Sequence, residues 1–205
     1  MALGTQTGSN RGWQAFALIA AGVAAACAVP ILFVPDPVEA VRLVIRLTAR
    51  ISLALFLAAF LASTLARLWP GSVTRWMVAN RRVLGLGFAW SHLIHASALV
   101  ILYRADSALF WTLTNPVSVT GGSIAYVFIA ALAFTSFDGA VRALGPQRWQ
   151  RLHSTGIWII WLVFLISNAK RIPINLGYAL PTAILIAALL VRLYARTVRT
   201  AKATT

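Results

Sequence analysis

Six times along the chain an apolar run of roughly twenty residues recurs between short polar stretches, the length an α-helix needs to cross the hydrocarbon of a bilayer. A backbone placed in lipid has no water to satisfy its amides. It is therefore restricted to helices or a closed barrel, and no alternating strand pattern of useful length is present. Only 11% of the residues are charged, 60% are hydrophobic and the mean hydropathy is +0.82, which excludes an ordinary soluble domain. The expected fold is all-α: a polytopic membrane protein, a six-transmembrane-helix bundle forming a single domain over residues 1–205.

The first span is expected over 13–34, closed by Pro35 and Pro37. Small residues around Ala26 to Ala28 also fit a signal-peptide cleavage site. The run continues through Ile31, Leu32 and Phe33, however, and that length favours a retained helix. Residues 38–50 place Arg42, Arg46 and Arg50 at i, i+4, i+8 on one helix face; this piece is expected to lie at the interface and run into span two, 51–69, ended by Pro70-Gly71. Spans three to six are expected at 83–103, 122–137, 152–169 and 176–194. Residues 196–205 form a basic tail with the composition of a disordered end.

With 18 Lys and Arg against 4 Asp and Glu, the chain carries +14. In a soluble protein this would point to nucleic acid. Here the cations gather at the ends of apolar runs, so the partner implied is the lipid bilayer, and no nucleic-acid partner is expected. Arg42, Arg46, Arg50, Arg104, Lys170 and Arg171 fall on one side of the membrane and the other twelve of the 18 on the opposite side. The excess places both termini in the cytoplasm, in a multi-pass protein of the inner (plasma) membrane. Trp13, Trp69, Trp76, Trp111 and Trp149 fall near span ends, where interfacial aromatics anchor. Cys27 is the single cysteine, which excludes an intramolecular disulfide.

An ionisable residue inside a span is a functional candidate because its burial is costly. All three histidines qualify. His92 and His95 lie in the middle of span three, about 60° apart round the helix, and His153 opens span five. Neutral imidazole binds haem iron without bringing charge into lipid. A buried histidine also serves simply as a hydrogen-bond donor between helices, but three confined to two helices favour the ligand reading.

The string Arg81-Arg82-Val83-Leu84-Gly85-Leu86, followed by Phe88-Ala89-Trp90 and His95, resembles span three of the haem-binding membrane subunits of the bacterial periplasmic methionine sulfoxide reductase system. These belong to the ferric reductase-like transmembrane superfamily. Ala131-Leu132-Ala133-Phe134-Thr135-Ser136, then Leu144-Gly145 and Arg148-Trp149-Gln150-Arg151-Leu152-His153, extend the resemblance in the same order, over roughly residues 80–171. The resemblance implies haem b held between spans three and five. It also implies electron transfer from a cytoplasmic flavin or flavoprotein donor toward an acceptor at the outer face, with a redox partner protein; a quinol is the other donor open to a sequence with no nucleotide-binding motif. By resemblance, His95 is the span-three ligand and His153 the first span-five histidine.

The family's second span-five histidine, thirteen residues after the first, is here Ile166, which cannot ligate iron. Spans three and five run in the same direction, and His95 lies eleven residues deeper than His153, ~16 Å of helix; His92 reduces the offset to eight residues, ~12 Å. The sequence therefore points to His92 or His95 with a sixth ligand foreign to the family, or to five-coordinate iron. Gly85 and Gly87 are not followed by the strand–helix context of a nucleotide-binding loop and are read as sites of close helix approach. No carboxylate pair is placed for acid–base catalysis. The competing readings are a non-redox membrane protein that binds a partner helix or transports an ion, and a quinone-binding subunit in which His92 or His95 donates the hydrogen bond.

Overall fold

The computed structural model describes the backbone of residues 4–203 and the side chains of residues 12–198. Over that range the chain is helical and six helices are long and apolar enough to span a membrane: Gly12–Phe33, Pro37–Leu68, Arg81–Ala105, Pro116–Phe134, Pro146–Ala169 and Leu176–Val198. The elements in order are α1 (Gly4–Phe33), α2 (Pro37–Leu68), α3 (Ser72–Ala79), α4 (Arg81–Ala105), α5 (Ser107–Leu113), α6 (Pro116–Phe134), α7 (Asp138–Leu144), α8 (Pro146–Ala169), a 3₁₀ turn (Leu176–Tyr178) and α9 (Ala179–Ala203).

Local chemistry sets the breaks. Asp36 caps α2, its Oδ1 accepting from the Val38 amide at 2.9 Å, and Pro37 fills the first position, where no amide is needed. The Asp106 carboxylate accepts from Leu109 N at 2.8 Å and so starts α5 as α4 ends. Gly145, at φ +76°, turns the chain into Pro146 at the head of α8. That Gly-Pro start brings residues 146–151 into the helix, six residues before the apolar run at which the span was expected to begin. Likewise α6 starts at Pro116 rather than 122, and it stops at Phe134, where the Thr135 and Ser136 hydroxyls fold back to the carbonyls of Ala131 and Leu132, both at 2.6 Å. The basic stretch from Arg196, expected to be disordered, continues α9 as helix to Ala203; Thr204 and Thr205 lie outside the described residues, as does the side chain of Arg11.

Two compact units divide the chain. The first comprises residues 1–56 and 80–116 and the second residues 57–79 and 117–205, the boundary falling inside α2. In the first, Val23 and Cys27 of α1, Val44 of α2 and Ala98 of α4 form a buried cluster, flanked by Ile19, Val41, Trp90 and Ile94. Residues 38–50 run without a break into span two, as one α2 of 32 residues. Their Val44–Thr48 face is buried and carries the contacts to α4, while the arginines occupy the opposite face. Gly87 does permit close approach: a Cβ there would stand 2.8 Å from Ile19 Cγ2, whereas Gly85 has nothing within 4 Å.

In the second unit Gly156 plays the same part, since a Cβ would collide with Leu132 Cδ1 and meet Phe128 Cδ1 at 3.2 Å. Association between helices in lipid depends on such close packing, because lipid tails compete equally for apolar surface. The Trp161 indole donates to the Leu185 carbonyl at 3.1 Å, joining α8 to α9. Arg192 on α9 donates to the Phe60 carbonyl at 3.0 Å and lies over the rings of Phe60 and Trp158, 4.1 and 5.0 Å from their centroids. Its charge is thereby covered by aromatic faces and a backbone oxygen rather than by lipid.

Gly156→Val should destabilise the detergent-solubilised protein by about 1–3 kcal/mol, the usual cost of overpacking, while Gly85→Val, which points into open space, should leave thermal unfolding nearly unchanged.

Candidate functional site

Two spans of the first unit meet along a polar seam. Thr48 and Ser52 are four residues apart on α2, Ser91 and His95 four apart on α4, so each pair presents one stripe of its helix. The antiparallel helices match the stripes rung by rung. Ser52 Oγ donates to Ser91 Oγ at 2.9 Å, and Ser91 Oγ donates to the Thr48 carbonyl at 3.2 Å. Thr48 Oγ1 lies 3.0 Å from His95 Nδ1. Thr48, Ser52 and Ser91 are all 0% exposed. Below the seam Phe56 and Phe88 close the packing, with centroids 5.5 Å apart.

The partners of His95 decide its tautomer. Nδ1 lies 3.0 Å from the Ile45 carbonyl, and a carbonyl can only accept, so Nδ1 carries the proton. Thr48 Oγ1 gives its own proton to the Val44 carbonyl at 2.7 Å, which leaves its lone pairs to face the same Nδ1–H. In the neutral ring Nε2 is then the lone-pair nitrogen, the atom that binds a metal. His92 stacks beside it, ring centroids 5.4 Å apart and planes at 29°, and packs on Phe88 at 5.0 Å.

His153 belongs to the second unit and is built differently. Its Nε2 lies 3.0 Å from Thr135 Oγ1, a hydroxyl whose proton goes to the Ala131 carbonyl at 2.6 Å. Nε2 is therefore the donor, and Nδ1 the lone-pair nitrogen in the neutral ring. The ring stacks on Trp149 at 4.1 Å and 28°, and the Trp149 indole donates to the Thr135 carbonyl at 2.8 Å. Trp149, read from the sequence as an interfacial anchor, thus helps clasp the end of α6 to the first turns of α8. Ligation of a metal through His153 Nε2 requires the Thr135 bond to open. Ile166 is 54% exposed.

The structure brings His92 and His95 together and gives His153 its own partners in the other unit. Sequence reasoning missed Thr48, Ser52, Ser91 and Thr135. The signal available for the first three was the matched i, i+4 spacing of small hydroxyl residues in two apolar spans. Among the described residues no group of three or more His, Cys, Asp or Glu side chains is placed to hold a bare metal ion. Haem brings four nitrogens of its own and asks the protein for only one or two axial ligands, so the His95 donor set fits it.

The family described as the ferric reductase-like transmembrane component matches residues 48–164, more than half of the chain and inclusive of all three histidines. The protein-methionine-sulfoxide reductase heme-binding subunit MsrQ of Cronobacter sakazakii is 34% identical over 122 residues, covering 54% of this chain and 58% of that protein. MsrQ of Azospira oryzae is 33% identical over 118 residues, covering 54% and 50%. The chain spans about half the length of the curated relatives it matches. No solved structure matches it.

A double-mutant cycle on Ser52→Ala and Ser91→Ala, read by unfolding in detergent, should give a coupling of about 0.6 kcal/mol and no more than about 1.7, the range for interhelical hydrogen bonds in membranes.

Proposed function

The chain belongs to the ferric reductase-like transmembrane family and is a multi-pass membrane protein, and from that premise we propose that it binds haem b through His95 and carries electrons across the membrane. The direction is from a cytoplasmic flavin, flavoprotein or quinol donor to an acceptor protein at the outer face, as in a methionine sulfoxide reductase system. Both termini then lie in the cytoplasm and the membrane is the inner one. The single observation that supports this most is the hydrogen bond from His95 Nδ1 to the Ile45 carbonyl. It fixes the ring, selects Nε2 as the donor atom and increases the basicity of that nitrogen, as outer partners of metal-bound histidines do.

When bound, haem cycles between ferric and ferrous iron and so carries one electron at a time. The protein's contribution is the rest. His95 would hold the iron through Nε2 without adding charge to the hydrocarbon. Thr48 supplies a second acceptor to the same Nδ1–H, and the Ser52–Ser91 rung keeps α2 and α4 in the register that makes both contacts. His92 stacks on His95 with the ring planes at 29°, so the two would not hold one iron between them. His153, whose Nε2 is given to Thr135, could hold iron through that nitrogen only if this bond opened.

The second reading, a non-redox membrane protein, is favoured by the commitment of His153 Nε2 to Thr135 and by Ile166 at the position where the family's second span-five histidine would stand. Oxidised and dithionite-reduced spectra of the purified protein separate the two. A Soret band that shifts on reduction is expected, and its absence after haem supplementation would falsify the haem reading.

His95→Ala should abolish that band at unchanged expression. Thr48→Val should retain it but raise the midpoint potential, because with one acceptor fewer the ring donates less electron density to ferric iron.

A further inference from the structure

The arginines of α2 stand at a depth that the sequence did not disclose. The rungs Thr48–His95 and Ser52–Ser91 fix the register of α2 against α4, and Arg50 falls between them, level with Leu93. Leu93 is the middle of the apolar run from Val83 to Tyr103. Arg46 is then ~6 Å, and Arg42 ~12 Å, nearer the end of the membrane at which α2 begins. The hydrocarbon is ~30 Å thick, so Arg50 starts ~15 Å from either edge, farther than its side chain can reach to a lipid phosphate. Two residues from Thr48, it projects from the side of α2 opposite the seam, about 200° round the helix.

Both Arg46 (side chain 45% exposed) and Arg50 lie on the exposed side of α2. Glu39, at the mouth of this stripe, pairs with Arg42 and Arg46; among the described residues Arg50 forms no ion pair. The chain has 4 acidic residues against 18 basic ones, and in this unit the others, Asp36 and Asp106, cap helix ends. A guanidinium at mid-membrane must be met by a protein partner, water or an anion, and among the described residues Arg50 has no hydrogen bond or ion pair to protein.

We propose that Arg42, Arg46 and Arg50 line a hydrated cleft, open on the side of the membrane where α2 begins, that binds a small carboxylate- or phosphate-bearing solute from the aqueous phase. The stripe supplies graded positive charge from surface to centre, and Glu39 holds the outer two guanidinia in place. A lipid headgroup satisfies Arg42 but not Arg50. The cleft stands on charge and depth alone and holds whether or not His95 binds iron.

The test uses the full chain in proteoliposomes, with Cys27→Ala removing the native thiol and Arg50→Cys introducing a reporter. Two membrane-impermeant methanethiosulfonates of similar size, one sulfonated and one a quaternary ammonium, are added to either side, and each rate is normalised to that with 2-mercaptoethanol. Labelling from the α2 N-terminal side alone is expected, with the anionic reagent favoured by about tenfold or more, the scale on which a charged cleft concentrates its counter-ion. Added citrate or inorganic phosphate should slow it, and Arg42→Gln with Arg46→Gln should remove the preference. Leu93→Cys, at the same depth on α4, should stay unlabelled. No reaction at Arg50→Cys, or reaction without preference for the anion, overturns the cleft. Should Arg50→Cys fail to insert, Arg46→Cys carries the same expectation and the same refutation.

Discussion

A polar group inside hydrocarbon has no water to fall back on, so each must be answered by another group of the protein. That constraint organises the first unit. The hydroxyls of Thr48, Ser52 and Ser91 and the imidazole of His95 answer one another across α2 and α4, and the register they impose carries Val44 and Ala98 into one buried cluster with α1. The second unit answers its polar groups with aromatic and backbone partners: Trp161 on Leu185, Arg192 on Phe60, and His153 and Trp149 on Thr135. The contacts that hold the helices together are also those that orient the imidazoles.

The two candidate ligand histidines differ in the nitrogen they withhold. His95 commits Nδ1 to a carbonyl and keeps Nε2 as its lone-pair atom; His153 commits Nε2 to a hydroxyl and keeps Nδ1. Both are the same residue type in apolar helices, and the difference arises from what the neighbouring helix presents at that level. A main-chain oxygen faces His95, and the end of a helix, where a threonine hydroxyl turns back on its own carbonyl, faces His153. Only in the former is Nδ1, rather than Nε2, the nitrogen given to the neighbouring helix.

Much of this was legible in the sequence. The six apolar runs became the six spanning helices because length and hydropathy are local properties. A departure came where a few residues outvoted an average: Gly145-Pro146 started α8 six residues before its apolar run. The histidines stood out because ionisable residues are rare in spans. Their partners did not, because serine and threonine are common in membrane helices, and only the pairing of two stripes from distant parts of the chain distinguishes a seam from background. The tautomers were invisible for the same reason.

The acceptor that fixes the ring of His95 is a main-chain carbonyl, Ile45 O. No substitution of the side chain at position 45 can remove it. Any descendant of this sequence that preserves the α2–α4 register therefore inherits the orientation of His95, whereas the Thr48 hydroxyl can be lost by a single substitution. Drift can thus alter the electronic properties of the imidazole over many generations while its aim stays the same.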